Sequence, residues 1–91
     1  LMKYDVKYTE KALRELKKLD KSVAQKIVHS ISELKDEPYS NIKKLKGTGN
    51  QPLYSHRVGN YRVILTIQNK QMIIFVLEVG DRKNIYRKYR S

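Results

Sequence analysis

The chain has 91 residues, enough for one small domain with a modest core, and its 20 Lys and Arg against 9 Asp and Glu give a net charge of +11. That balance favours a phosphate-rich partner by counterion release. The absence of cysteine excludes a disulfide framework and a thiolate metal site, and the longest apolar run, Met72 to Leu77, is far too short to span a membrane.

Residues 3–8 alternate, with Tyr4, Val6 and Tyr8 on one side, the pattern of a half-buried strand. Thr9 offers an N-cap hydroxyl ahead of Glu10, an acid well placed at a helix N-terminus. Ala12, Leu13, Leu16 and Leu19 follow at helical spacing. Asp20 breaks that pattern and is placed to cap a second helix, in which Val23, Ala24, Ile27, Val28, Ile31 and Leu34 form one apolar stripe. Pro38 ends the helical zone. Two short helices joined this tightly predict an antiparallel hairpin.

Residues 39–52 read as a loop, with Gly47, Gly49, Asn50 and Pro52 around Lys43, Lys44 and Lys46. Residues 53–58 alternate, Gly59-Asn60 is a tight turn, and 61–67 alternate again. A second turn at 68–71 leads into 72–79, apolar on both faces and therefore a central strand. From Gly80 the tail is basic and reads as a strand end, a helical turn or a disordered segment. The order β-α-α-β-β-β predicts an α+β domain over residues 1–91: an antiparallel sheet with the N-terminal helical hairpin packed on one face. The other face is then free to work. No signal-peptide pattern opens the sequence, so the expected compartment is the cytoplasm.

Charge is distributed unevenly. Residues 38–77 contain no acid but hold Lys43, Lys44, Lys46, Arg57, Arg62 and Lys70, interleaved with Tyr39, Tyr54, His56 and Tyr61. Arg82, Lys83, Arg87, Lys88 and Arg90 follow, with Tyr86 and Tyr89 among them. A one-signed stretch with aromatics suggests a surface for a polyanion, most often nucleic acid. Alternation puts Tyr61, Val63, Leu65 and Ile67 toward the core and Arg62, Ile64 and Thr66 away from it. Leu53, Ser55 and Arg57 point away from Tyr54, His56 and Val58. The turn at Gly59-Asn60 then sets Arg57 and Arg62 close together on the free face, where Arg82 can join them.

Such a cluster needs an anion or an acid, and Glu78 is the acid nearest Arg82 in sequence, its plainest reading a structural pair with an Arg. His56 reads as a satisfied, partly buried imidazole, and His29 as solvent-facing or a packing residue. No two His stand at ligand spacing, so no metal site is expected.

The string Leu53-Tyr54-Ser55-His56-Arg57-Val58-Gly59-Asn60-Tyr61-Arg62-Val63-Ile64 resembles the Y-R-x-R-x-G-x-Y-R-V-I hairpin of the RelE/ParE toxin superfamily. Val79-Gly80-Asp81-Arg82-Lys83-Asn84-Ile85-Tyr86 resembles that family's V-G-x-R-x-x-x-Y ending. Ala12 to Leu19 resembles its first helix, and Lys43-Lys44-Leu45-Lys46-Gly47 its K-x-L-x-G loop. The resemblance spans nearly the whole chain, in order, and the family's fold matches the one read above.

The RelE branch implies a ribosome-dependent endoribonuclease that cleaves mRNA in the decoding site. It implies a cognate RelB-type antitoxin that neutralises the toxin in a hetero-oligomer. The ParE branch shares the fold but poisons DNA gyrase and lacks the catalytic set. By this resemblance Arg57, Arg62, Arg82 and Tyr86 occupy RelE-type active-site positions. Lys46 matches a basic loop position that contacts RNA, and Lys43, Lys44 and Arg87 join it as RNA-binding residues. Ser55 departs from the pattern, where many active members carry Lys or Arg.

The expected chemistry is attack of an RNA 2′-hydroxyl on the adjacent phosphate, with no metal and no cofactor. The alternatives are a ParE-like or catalytically weak relative that binds a protein such as gyrase, and a non-enzymatic nucleic-acid-binding module.

Overall fold

The computed structural model describes residues 3–46 and 49–89; Gly47 and Arg90, read above as part of the basic loop and tail, lie outside them. Strand β1 (Asp5–Tyr8) turns Tyr4, Val6 and Tyr8 onto the main core, as the alternation requires. Thr9 caps helix α1 (Glu10–Lys17). Its Oγ1 accepts from the Ala12 N–H at 3.1 Å and donates to the Leu77 carbonyl at 3.0 Å. Helix α2 (Lys21–Ser32) buries Ile27 and Ile31 and runs into a 3-10 turn (Glu33–Lys35) that buries Leu34.

Two details of the helical reading change. Val28 is 41% exposed because it lies roughly 90° around the helix from the centre of the buried stripe. Asp20 stands at the N-cap, but its carboxylate makes no capping bond.

The expected loop contains a short strand, β2 (Lys43–Lys44), antiparallel to β3 (Tyr54–Val58). The meander continues through β4 (Tyr61–Gln68) and β5 (Ile73–Asp81), all antiparallel, and the sheet order is β1-β5-β4-β3-β2. The α+β class and the helical hairpin stand as read, but β1 pairs parallel to β5 and makes the sheet mixed. Chain direction explains this. After α2 the chain is back beside the start of β1, where the Tyr4 N–H donates to the Lys35 carbonyl at 2.8 Å. Strands β2, β3, β4 and β5 then alternate in direction, and β5 runs the same way as β1.

Val63, Leu65, Ile74, Val76 and Val79 meet Ala12, Leu16, Ile27, Ile31 and Leu34 in the main core. The opposite face is not wholly free. The tail forms helix α3 (Arg82–Lys88), whose Ile85 packs with Leu45 and Ile64 into a second small cluster, flanked by Leu53, Leu77 and Tyr89. Farther along, Thr66 donates to the Pro52 carbonyl at 2.9 Å, so the 51–53 segment closes that end. What remains open is the end of the face beside the β3–β4 turn.

Candidate functional site

The open end is built by a hairpin. Gly59 has φ +58° at the first central position of the turn, the pattern of a type II′ connection between twisted strands. The register it fixes puts Arg57 directly opposite Arg62. Both side chains share the face that carries Ser55, as the alternation requires. Arg62 is half-buried. Its Nη1 donates to the Ser55 Oγ at 3.0 Å, and its guanidinium carbon lies 5.7 Å from the centre of the Tyr86 ring. Its Nε is buried with no partner among the described residues. Arg57 is exposed and bonds only weakly, Nε to the Gly59 carbonyl at 3.4 Å. Among the described residues neither guanidinium pairs with a carboxylate. Two like charges opposite each other on adjacent strands are unfavourable. An anion seated between them relieves the repulsion.

The neighbouring strand separates two lysines that the sequence placed together. Lys43 pairs with Ser55 and so shares the Arg57–Arg62 face. Lys44 pairs with Tyr54, which packs against the main core, so Lys44 points from the opposite face. Lys46 is exposed in the loop beyond.

Helix α3 supplies the rest. Asp81 caps it: one carboxylate oxygen accepts from the Asn84 N–H at 3.0 Å and the other from the Asn84 side chain at 3.0 Å. An Asp ahead of a short amphipathic run was a legible signal for this helix. Ile85 seats on Gly80, and the exposed Tyr86 covers Arg62. The Arg82 N–H donates to the Asn60 carbonyl at 2.8 Å, so its backbone does reach the hairpin turn. Arg82, however, lines a depression of about 440 Å³ with Asn60, Asp81, Lys83, Asn84 and Arg87, which neither Arg57 nor Arg62 lines. Arg82 therefore flanks the Arg57–Arg62 pair, and Arg87 belongs with Arg82 rather than with the loop lysines.

Among the described residues Glu78 pairs with two Lys and with no Arg. Its carboxylate, only 9% exposed, lies 3.2 Å from Lys11 Nζ and 3.1 Å from Lys88 Nζ and accepts from the Tyr89 hydroxyl at 2.9 Å. Burial pushes its pKa up, but the Tyr89, Lys88 and Lys11 donors outweigh burial and hold it below the ordinary carboxylate value. Burial and the adjacent carboxylate push Tyr89 up to about 12. The lowered carboxylate stabilises the fold fully above its unfolded pKa of about 4. That contribution is lost as pH falls through the folded value. Acidification from pH 5 should therefore release the end of α3, read as a loss of amide-exchange protection there before the sheet loses its own.

His56 is satisfied as expected, with Nε2 2.8 Å from Ser30 Oγ and Nδ1 2.9 Å from the Asn41 carbonyl, and His29 is solvent-facing. Among the described residues no three His, Asp or Glu side chains gather to hold a metal ion, and no helix is long and apolar enough to cross a membrane.

Known proteins resemble this chain in sequence and fold. The model of the ParE toxin of type II toxin–antitoxin systems matches residues 6–86. A RelE-like toxin protein of Escherichia coli is 33% identical over 90% of this chain and 86% of its own length. The mRNA interferase toxin RelE of Escherichia coli K12 is 27% identical over the same shares. The archaeal RelE in the RelE–RelB complex from Pyrococcus horikoshii superposes with a TM-score of 0.76 at 32% identity, covering 89% of this chain and 97% of that one. The chain is thus a member of the ParE toxin family of type II toxin–antitoxin systems, within the RelE/ParE superfamily.

Proposed function

We propose that this toxin is a metal-independent endoribonuclease that cuts translated mRNA on the ribosome and is neutralised by a RelB-type antitoxin. The observation that carries the reading is the Arg57–Arg62 pair, with no carboxylate partner among the described residues, in which Arg62 lies under the Tyr86 ring and keeps one N–H unpartnered. Guanidinium forks match phosphate oxygens in bidentate fashion, so the pair clamps the scissile phosphate and stabilises the charge that builds on it. The 2′-oxygen bonds to phosphorus as its proton passes to water. The bond from phosphorus to the 5′-oxygen breaks, and that oxygen takes a proton from water, so no net proton is gained or lost. The products are a 2′,3′-cyclic phosphate and a 5′-hydroxyl. Arg82 adds positive potential from its flanking position, because an Arg pKa above about 12 makes it a poor proton donor. The Tyr86 ring offers a stacking platform worth about 1–3 kcal/mol to an mRNA base.

Primer extension on an mRNA in a purified translation system tests the reading. Discrete in-frame cuts are expected on translated message, absent from naked RNA and lost in Arg62→Ala. No cuts from folded protein would turn attention to a protein target. That second reading is favoured by the uncharged Ser55 at the centre of the face, and inhibition of gyrase supercoiling would decide it.

The split between Lys43 and Lys44 gives a separate expectation. Lys43→Ala should lower RNA affinity and reduce the slope of log K against log salt by about 0.7, one phosphate contact on a single strand. Lys44→Ala should change neither by a comparable amount. Fluorescence anisotropy titrations across a salt series measure both, and equal effects would mean that strand register does not govern the contact.

A further inference from the structure

We propose that Glu78 is a positioning residue: through Lys88 and Tyr89 it latches the end of α3 and thereby holds the Tyr86 ring over Arg62. The geometry stands by itself; its consequence for cleavage rests on the function proposed above.

Helix α3 has 7 residues. A helix that short is not stable alone, so its position comes from the contacts it makes. Its start is tied twice, by the Asp81 cap and by the Arg82 N–H to the Asn60 carbonyl. Its middle rests on a single buried residue, Ile85. Its end is tied by Glu78, which takes both the Lys88 ammonium and the Tyr89 hydroxyl. Tyr86 lies between the middle and that end, so the direction of its ring depends on the final turn.

The sheet explains why a carboxylate can do this here. The register slips between Ile64 and Leu65, leaving Leu77 without a partner on β4, a bulge beside Glu78. Strand β1 stops opposite Val76, so the β5 edge is open from Leu77 onward. Helix α1 lies along that edge: Thr9 bonds the Leu77 carbonyl, and Glu15 Oε1 accepts from the Val79 N–H at 2.8 Å. From there Lys11 reaches the same carboxylate that α3 uses. Glu78 thus sits between an ammonium from α1 and another from α3, with Glu15 nearby and the neutral Tyr89 phenol closing the cluster. Removing its charge does more than delete a bond. It leaves Lys11 and Lys88, each about half exposed, beside each other without the carboxylate between them, and their solvent-damped repulsion favours an outward shift of the end of α3.

The test follows the Arg62 side-chain resonances by NMR, where the Tyr86 ring should produce a ring-current shift that Tyr86→Leu abolishes. Glu78→Gln should lose most of that shift. Adding Lys11→Met to Glu78→Gln should restore part of it by removing the repulsion. In single-turnover cleavage, Glu78→Gln should cost about 10- to 100-fold, the scale of a slightly misplaced site. The same change in a Tyr86→Ala background should cost little, because the effect passes through Tyr86. Should Glu78→Gln fail to fold, the double variant Lys88→Gln, Tyr89→Phe removes the α3 side of the latch from the half-exposed end and should lose the shift equally. A full ring-current shift in the folded variants would overturn the proposal. A shift that depends on Glu78 in a protein that cuts no mRNA would uphold the latch and refute the nuclease reading.

Discussion

Arg62→Ala should lower single-turnover cleavage of ribosome-bound mRNA by about 10²- to 10³-fold, the scale of removing one preorganised donor to a developing oxyanion. The residue combines several features in one place. It faces Arg57 across the strands, its Nη1 is fixed by Ser55, and the Tyr86 ring covers its guanidinium. The buried Nε without a partner identifies it further, since such a donor costs about 1–3 kcal/mol in the free protein. The same substitution should therefore change thermal stability little, because removing the orphaned donor and the repulsion with Arg57 offsets the lost bond to the buried Ser55 hydroxyl and the lost Tyr86 contact. A loss of activity with no loss of Tm separates a functional residue from a structural one. Arg62→Lys restores the charge without the planar fork and should remain well below wild type. If Arg62→Ala cuts at the wild-type rate, the Arg57–Arg62 pair is not the phosphate clamp.

Gly80→Ala should undock α3. A Cβ at residue 80 would lie 2.8 Å from Ile85 Cγ1 and 2.9 Å from Cδ1, closer than real Cβ atoms come to other carbons. Gly80 stands opposite Arg62 in the register, so this close approach is what lets α3 come down over the site. Ile85 must move, and it is the one residue of α3 buried in the second cluster. Overpacking of this kind costs about 1–3 kcal/mol. The sheet and the helical hairpin do not depend on the contact, so the loss should be local. Amide exchange should accelerate in 82–89 while β4 stays protected, and cleavage should fall as Tyr86 leaves Arg62. Combining Gly80→Ala with Ile85→Ala removes the clash but also the anchor, so exchange in α3 should stay fast. Wild-type protection and wild-type cleavage in Gly80→Ala would show that Ile85 has room to turn aside.

How much of this was legible depends on how each feature is encoded. The faces of β3 and β4 followed from alternation, because one row of each strand meets the helices and the other does not. The juxtaposition of Arg57 and Arg62 followed from counting across a two-residue turn marked by Gly59. Thr9 announced α1 by its hydroxyl. By contrast, β2 has 2 residues, too few to show a period. The parallel pairing of β1 with β5 joins the two ends of the chain, and no local pattern records it.

Helix α3 is short and buries one residue, so the signals that place it were the Asp81 cap and Gly80 rather than any apolar stripe. The aim of Arg82 was lost at the same point, since the residue stands where a strand period gives way to a helical one. The partners of Glu78 were not legible at all. Sequence proximity pointed to Arg82, whereas the bulge at Leu77 and the open β5 edge bring in Lys11 from the first helix.

The most direct measurement uses a message programmed on the ribosome in two forms, one all-ribose and one with a single 2′-deoxynucleotide at the position cut in the first. The expected result is rapid cleavage of the ribose message, leaving a 2′,3′-cyclic phosphate and a 5′-hydroxyl, with no cut at the 2′-deoxy position. An intact ribose message in the presence of folded protein, or a cut that persists without the 2′-hydroxyl, would contradict the account.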